Sequence, residues 1–178
     1  EFVKKGGELE GIQLWLNLPA KDKMMTPNYQ HLEEKQIPNL FSDDKKVQLN
    51  IIAGNQNEEF GLIKTQTDVN VYTASVDKGG EMEINIPESH QSLIYLLNGK
   101  VIVNKLEVLE KRESQMITFK QEGNTIHFEA KTTSTLLILS GEPIHEKIAQ
   151  YGPYVMNTQT EILEAMRDYE QGKMGYLY

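Results

Sequence analysis

The sequence predicts an all-β domain, a sandwich or a barrel, followed by a single helix, and three observations carry that reading. From Lys46 onward, short runs with strand character recur at about ten-residue spacing. Turn signals stand between the runs: Asn98-Gly99 marks a tight hairpin, and Lys78-Gly79-Gly80 and Glu122-Gly123-Asn124 mark loops. Past residue 142 the pattern changes, because Thr158 and Glu161 form a capping-box pair and Ile162, Ala165, Met166 and Tyr169 follow three and four residues apart.

Taken in order, residues 11–18 set Ile12, Leu14, Leu16 and Leu18 on one face and Gln13, Trp15 and Asn17 on the other, the period of a half-buried strand that Pro19 ends. The text from Ala20 to about Lys45 is polar and broken by Pro27 and Pro38, so residues 21–45 are expected to be a linker. The β domain over 46–142 is built from Val47 to Ile52, Val69 to Val76, Met82 to Ile86, Leu93 to Leu97, Lys100 to Val103, Gln115 to Phe119, Thr125 to Phe128 and Thr135 to Leu139. The charged stretch from Lys105 to Glu113, interleaved with Leu106, Val108 and Leu109, reads as a solvated hairpin edge, with a protein-binding face as the alternative. Residues 143–178 form a C-terminal extension with a helix over about 159–171, stopped by Gly172. The apolar tail of Met174, Tyr176, Leu177 and Tyr178 is expected to dock rather than stay in water.

Composition narrows the function. The 178 residues carry 18 Lys+Arg against 26 Asp+Glu, a formal net charge of −8, and no Cys. A chain of this size buries about 70% of its unfolded surface, enough for one or two cores without covalent or metal staples. The lack of Cys removes a disulfide framework, a thiolate zinc site, an iron–sulfur cluster and a cysteine nucleophile, and is compatible with a reducing cytoplasm, the expected compartment. An acidic chain without a cluster of more than two Lys or Arg offers no phosphate-tracking surface, so no direct nucleic-acid partner is expected. No stretch reaches the roughly 18 to 20 apolar residues that cross a bilayer, and no membrane partner is expected. The chain opens Glu1-Phe2 without Met, which points to a cleaved or truncated product.

The residues that carry chemistry are few. The four His, at positions 31, 90, 127 and 145, contain no pair at the spacings that aim two imidazoles at one ion from a strand or helix. His127 and Glu129 share a strand face opposite Ile126 and Phe128; with a further ligand they make part of a metal site, and otherwise a hydrogen-bonded or solvated face. His31, His90 and His145 read as exposed loop or turn residues. No Gly-x-Ser-x-Gly elbow is present, and Gly6-Gly7 and Gly79-Gly80 lack the setting of phosphate loops, so both read as turns.

Two segments resemble the pirins, two-domain members of the cupin superfamily. The first runs from Gly11 through Met24 and continues over Thr26-Pro27-Asn28-Tyr29-Gln30 and Ile37-Pro38. The second combines Gly141-Glu142-Pro143, the run Gln150-Tyr-Gly-Pro-Tyr-Val-Met-Asn-Thr158, then Glu161-Ile162, Arg167-Asp168-Tyr169 and Gly172-Lys-Met-Gly175. Between them the barrel matches by pattern, so the resemblance covers essentially the whole chain. It implies a cupin double-stranded β-helix, a jelly-roll barrel, for residues 46–142, and it makes residues 1–20 the closing strand of an otherwise missing N-terminal cupin.

In the pirins that N-terminal cupin holds iron through a His-x-His pair and a later His and Glu. The site underlies a quercetin 2,3-dioxygenase activity and a metal-dependent role in transcriptional co-regulation. The resemblance places Glu1 at the last of those ligands, so at most one remnant ligand is expected, with iron(II) belonging to the intact parent and none to this chain. A lone carboxylate does not fix an iron, which needs about three or four protein ligands. In the remaining barrel the general cupin pattern, counted back from Gly99, puts Ser92 at the Glu ligand and Ile86, Pro87 and Glu88 at the His ligands. The later His falls near Met116, and His90 misses the register.

The resulting expectation is a pirin-like chain without catalytic or cofactor-binding residues of its own, acting as a scaffold or protein-interaction module. Its partner is a protein or a second copy, engaged through residues 11–18. The alternative is an iron-dependent quercetin dioxygenase in the intact parent. A small ligand inside the barrel is a third possibility, since small barrels either fill with side chains or hold one ligand.

Overall fold

The computed structural model describes residues 5–7, 10–111, 113 and 115–174, which fall into two compact units. The larger spans Met25–His145 and the smaller joins the chain up to Met24 with the chain from Glu146 onward.

Residues with period-two apolar patterning build the larger unit. A six-stranded sheet has the order β1-β2-β5-β12-β7-β10, with β1 Asn39–Phe41, β2 Val47–Ala53, β5 Val69–Val76, β7 Gln91–Asn98, β10 Met116–Thr118 and β12 Ser134–Gly141. A four-stranded sheet has the order β6-β11-β8-β9, with β6 Glu81–Asn85, β8 Lys100–Val103, β9 Glu107–Glu110 and β11 Thr125–Ala130. A short hairpin pairs β3 Asn55–Gln56 with β4 Glu59–Phe60. Every ladder in the two sheets is antiparallel.

The alternation of β2 is complete: Val47, Leu49, Ile51 and Ala53 are buried and the residues between them are half-buried. Inward residues of both sheets, among them Tyr72, Ile84, Ile94, Leu96, Phe128 and Ile138, form one core without solvent exposure. Removing that apolar surface from water at about 25 cal/mol per Å² is the main force holding the sheets face to face. Side chains of both sheets occupy the barrel interior. At the β7–β8 hairpin, Gly99 has φ +95°, and a Cβ there would lie 2.2 Å from Ser134 Oγ, so the Asn98-Gly99 signal reflects a real steric need.

The expected linker differs from the structure, because Asn39–Phe41 pairs with β2 and the unit begins at Met25. Three residues were too short a run to stand out beside Pro38 in the sequence. The Lys105 to Glu113 stretch contains β9, the edge of its sheet, with Leu109 fully buried and Leu106 exposed.

In the smaller unit, β13 Ala149–Tyr151 and β14 Tyr154–Met156 form a hairpin, and α1 Gln159–Glu170 packs on it. The capping box is present in full: Thr158 Oγ1 accepts from the Glu161 N–H, and the Glu161 carboxylate accepts from the Thr158 N–H at 2.7 Å. Ile162 is the buried residue of the helix. The backbone N–H of Ala20 donates to Glu146, and Lys23 donates to Asn17 and to the Val155 carbonyl, tying residues 17–23 to the hairpin.

Residues 11–18, expected as a strand, form no ladder. A strand needs a neighbour to exchange N–H and C=O bonds with, and no described strand pairs with this segment. Ile12, Leu14, Trp15 and Leu16 remain exposed, Trp15 to 74%. Glu1 and Tyr176 to Tyr178 lie outside the described residues.

Candidate functional site

Each position where a cupin would carry a ligand can be read from the barrel. Ile86 is a core residue, Ser92 is half-buried on β7, and Met116 is 53% exposed at the start of β10. Pro87 and Glu88, the other counted positions, are exposed, and one carboxylate beside an alkyl chain, a pyrrolidine ring, a hydroxyl and a thioether does not supply the roughly three or four imidazole and carboxylate donors that iron(II) takes. Among the described residues no three His, Asp or Glu converge on a common point. A shallow cleft of about 50 Å³ remains there, lined on its apolar side by Ile86, Pro87, Phe119 and Ile126 and on its polar side by His90, Ser92 and the 120–125 loop.

His90 corrects the sequence reading, because it is 3% exposed rather than an exposed turn residue. Its strand parity explains the burial: His90, Ser92, Ile94 and Leu96 alternate along one direction, and the last two are core residues. Asn70 stands in the same relation to Tyr72, Ala74 and Val76, and Ser140 to Ile138 and Leu136. Because Ser140 is paired with both Asn70 and Ser92, inward polar residues of three adjacent strands meet at one end of the barrel.

Hydrogen bonds join them. The Asn55 N–H donates to Asn70 Oδ1 at 3.1 Å, which orients the amide so that Nδ2 donates to Ser140 Oγ at 2.9 Å. The Ser140 hydroxyl lies 3.1 Å from His90 Nδ1, in hydrogen-bond contact with it. His90 Nε2 lies 3.6 Å from Asp68 Oδ2, beyond hydrogen-bond distance, and makes no hydrogen bond in the structure. The Tyr72 hydroxyl donates to the Asn55 carbonyl, and burial pushes this phenol well above its ordinary range, with the Asp68 charge adding to the shift.

The order carboxylate, imidazole, hydroxyl is that of a hydrolytic triad. Ser140, however, is 6% exposed with its oxygen held between two partners, so no substrate carbonyl reaches it. The chain of bonds ties strand ends together.

The other sequence candidates are occupied separately. His127 Nε2 lies 3.1 Å from Glu81 Oε2, and Glu129, on the same face, pairs with Lys131. His31 and His145 are exposed.

A barrel of two antiparallel sheets with a filled interior and a helix after its last strand is a cupin domain. Residues 71–175 match the family model described as the pirin C-terminal cupin domain. Pirin of Rattus norvegicus is 33% identical over 93% of this chain and 57% of its own length. A Pseudomonas aeruginosa protein whose name assigns it provisionally to the quercetin 2,3-dioxygenases is 35% identical over 97% of this chain and 59% of its own. The crystal structure of quercetin 2,3-dioxygenase from Acinetobacter baumannii superposes with a TM-score of 0.84 at 35% identity, covering 92% of this chain and 56% of that one. The chain belongs to the pirin family, and it spans somewhat over half the length of these relatives.

Proposed function

We propose that this chain works as a protein-interaction scaffold, with residues 11–18 as the contact segment and the filled cupin barrel as its support. The observation that supports the reading is the set Ile86, Ser92 and Met116 at counted cupin ligand positions, with the exposed Glu88 the one carboxylate among them, too few donors for a catalytic metal. The exposed Ile12, Leu14, Trp15 and Leu16 supply what a scaffold needs, an apolar strip without a strand neighbour that a partner strand can cover. A part in transcriptional co-regulation attaches to this reading by family analogy alone.

The test is hydrogen exchange and light scattering on the 178-residue chain. Amides 12–18 are expected to gain protection on association with a second copy or with a protein partner. Leu14→Asp with Trp15→Ser is expected to abolish both the protection and the association. Amides that stay unprotected in every complex the chain forms would remove segment 11–18 from the interface.

A second reading rests on the relative in Acinetobacter baumannii and on the span of the match. In it a longer parent protein binds iron(II) and cleaves quercetin with dioxygen, using ligands outside the described residues. Iron content and quercetin-dependent oxygen uptake, measured on the full gene product beside this chain, separate the readings. Activity and stoichiometric iron in the 178-residue chain itself would overturn the scaffold assignment.

A further inference from the structure

We propose that residues 10–16 of one copy add as an antiparallel strand to β10 of a second copy, with Glu10 beside Lys120, Ile12 beside Thr118 and Leu14 beside Met116. The pairing presupposes the contact role proposed for residues 11–18 and gives it an occupant. Four strands stand at the edges of the two sheets, β1 and β10 in one and β6 and β9 in the other. β6 carries the exposed Glu81 and Glu83, and β9 carries Glu107 and Glu110. Carboxylates along an edge discourage another strand from pairing there. β1 is entered through Pro38 and left toward Asp43 and Asp44, a proline and two charges that do the same work. Residues 115–119 hold neither a charge nor a proline, so β10 is the unguarded edge.

The ladder fixes which groups this edge offers. The Leu96 N–H donates to the Gln115 carbonyl at 2.7 Å, and the Phe119 N–H donates to the Ser92 carbonyl at 2.9 Å. Bonded and non-bonded pairs alternate along an antiparallel ladder, so Met116 and Thr118 between them turn their N–H and C=O groups to the open side. Both residues are exposed. Residues 11–18 are uncharged in turn, and no hydrogen bond joins the backbone of 11–16 to another described residue. One chain thus carries both a strand without an edge and an edge without a strand, which makes a second copy the occupant.

Charge order sets the direction and the register. In both segments a carboxylate precedes the uncharged run and a lysine follows it: Glu10 and Lys21 around residues 11–18, Glu113 and Lys120 around residues 115–119. Antiparallel pairing brings unlike charges together, whereas parallel pairing sets like beside like. Aligning Glu10 with Lys120 puts Ile12 opposite Thr118 and Leu14 opposite Met116, the two residues whose backbone groups face outward. The same register lays Ile12 and Leu14 on the outer face of the six-stranded sheet. There they continue two cross-strand rows, Thr118 with Leu93 and Leu139, and Met116 with Tyr95 and Leu137. A slip by one residue would send the three apolar residues Ile12, Leu14 and Leu16 to the opposite face and lose both rows.

The protein has no Cys, so single introduced cysteines report the contact without background. Leu14→Cys and Met116→Cys chains are mixed under mild oxidation; Cα atoms of a bonded antiparallel pair stand about 5.5 Å apart, within reach of a disulfide. The crossed dimer is expected as the main product, ahead of either self-linked dimer. In light scattering, Lys120→Glu is expected to weaken self-association about threefold, and Glu10→Lys added to the same chain to restore it. Met116→Lys, which sets a charge on an exposed edge residue, is expected to weaken it about tenfold or more. The pairing is overturned by a Leu14→Cys self-linked dimer as the main product, by the absence of crossed product, or by self-association indifferent to Met116→Lys. If amides 12–18 are still protected in the complex, such a result strikes the β10 edge alone and leaves the contact segment with another occupant. If they are unprotected in every complex, the scaffold reading falls with it.

Discussion

Ser140 Oγ and His90 Nδ1 meet at 3.1 Å, although fifty positions separate the two residues in sequence. They stand at the ends of neighbouring antiparallel strands, β12 and β7, on the face that points into the barrel. Their contact joins the turn before β7 to Asn70 on β5.

Ser140→Ala tests the worth of that junction. The substitution leaves Asn70 Nδ2 without its acceptor and His90 Nδ1 without its hydrogen-bond partner among buried side chains, and unsatisfied buried groups cost about 1–3 kcal/mol. A loss of that size in urea unfolding is expected, with Asn70→Ala coupled to it, so that the double variant loses less than the two single losses combined. Strict additivity would mean that the two side chains act independently.

Strand parity explains how much of this was legible. The runs at 69–76 and 100–103 coincide with β5 and β8, and the capping pair Thr158 and Glu161 marks the helix start, because a two-residue period and a capping box are local signals. His90 was readable by the same rule, being two residues before Ser92 and four before Ile94. A turn signal at Pro87 hid it, because loop polarity correlates with exposure without determining it. The Asn39–Phe41 strand and the β3–β4 hairpin are too short to show a period, and their pairing is decided by the neighbour. That residues 11–18 form no ladder was not readable, since edge pairing depends on a neighbour.

Gly54 and Gly79 separate strain from collision. Both have positive φ, +80° and +76°, so an alanine at either place is held in the left-handed region at about 1–2 kcal/mol. At Gly79 the new methyl meets open space, and Gly79→Ala is expected to lose that amount alone. At Gly54 it would press on Asn70 Oδ1, Asn70 Cγ and the Val69 carbonyl, so Gly54→Ala is expected to lose substantially more in thermal unfolding and to free the Asn55 amide to exchange. Equal losses at the two sites would show that Asn70 yields easily.

Phe128 is fully buried between the sheets, whereas Leu106 is exposed in the β8–β9 turn. Phe128→Ala removes transfer energy and opens a cavity, and a loss of about 3–5 kcal/mol is expected. Leu106→Ala is expected to stay within about 0.5 kcal/mol of the parent. Denaturant midpoints for the pair check whether the core is as closely packed as its burial indicates.

The helix is expected to respond to acid through Glu161. The Thr158 hydroxyl bonded to this carboxylate holds its pKa below the ordinary value of 4.5; desolvation opposes it as the next effect in size, and the backbone N–H groups of Thr158 and Asn157 and the charge of Lys23 add to the lowering. A carboxylate whose pKa is lower folded than unfolded adds stability that is fully present above its unfolded value. That stability is lost as pH falls through the depressed folded one. The capping box must therefore weaken on the acid side of 4.5, not near neutrality. Amide exchange of residues 161–164, followed between about pH 6 and pH 3 against barrel amides, is expected to show the helix start loosening first. Glu161→Gln keeps an acceptor but cannot ionise, so its helix start is expected to be looser at neutral pH and insensitive to acid. The same acid response in Glu161→Gln would assign the loosening to another carboxylate.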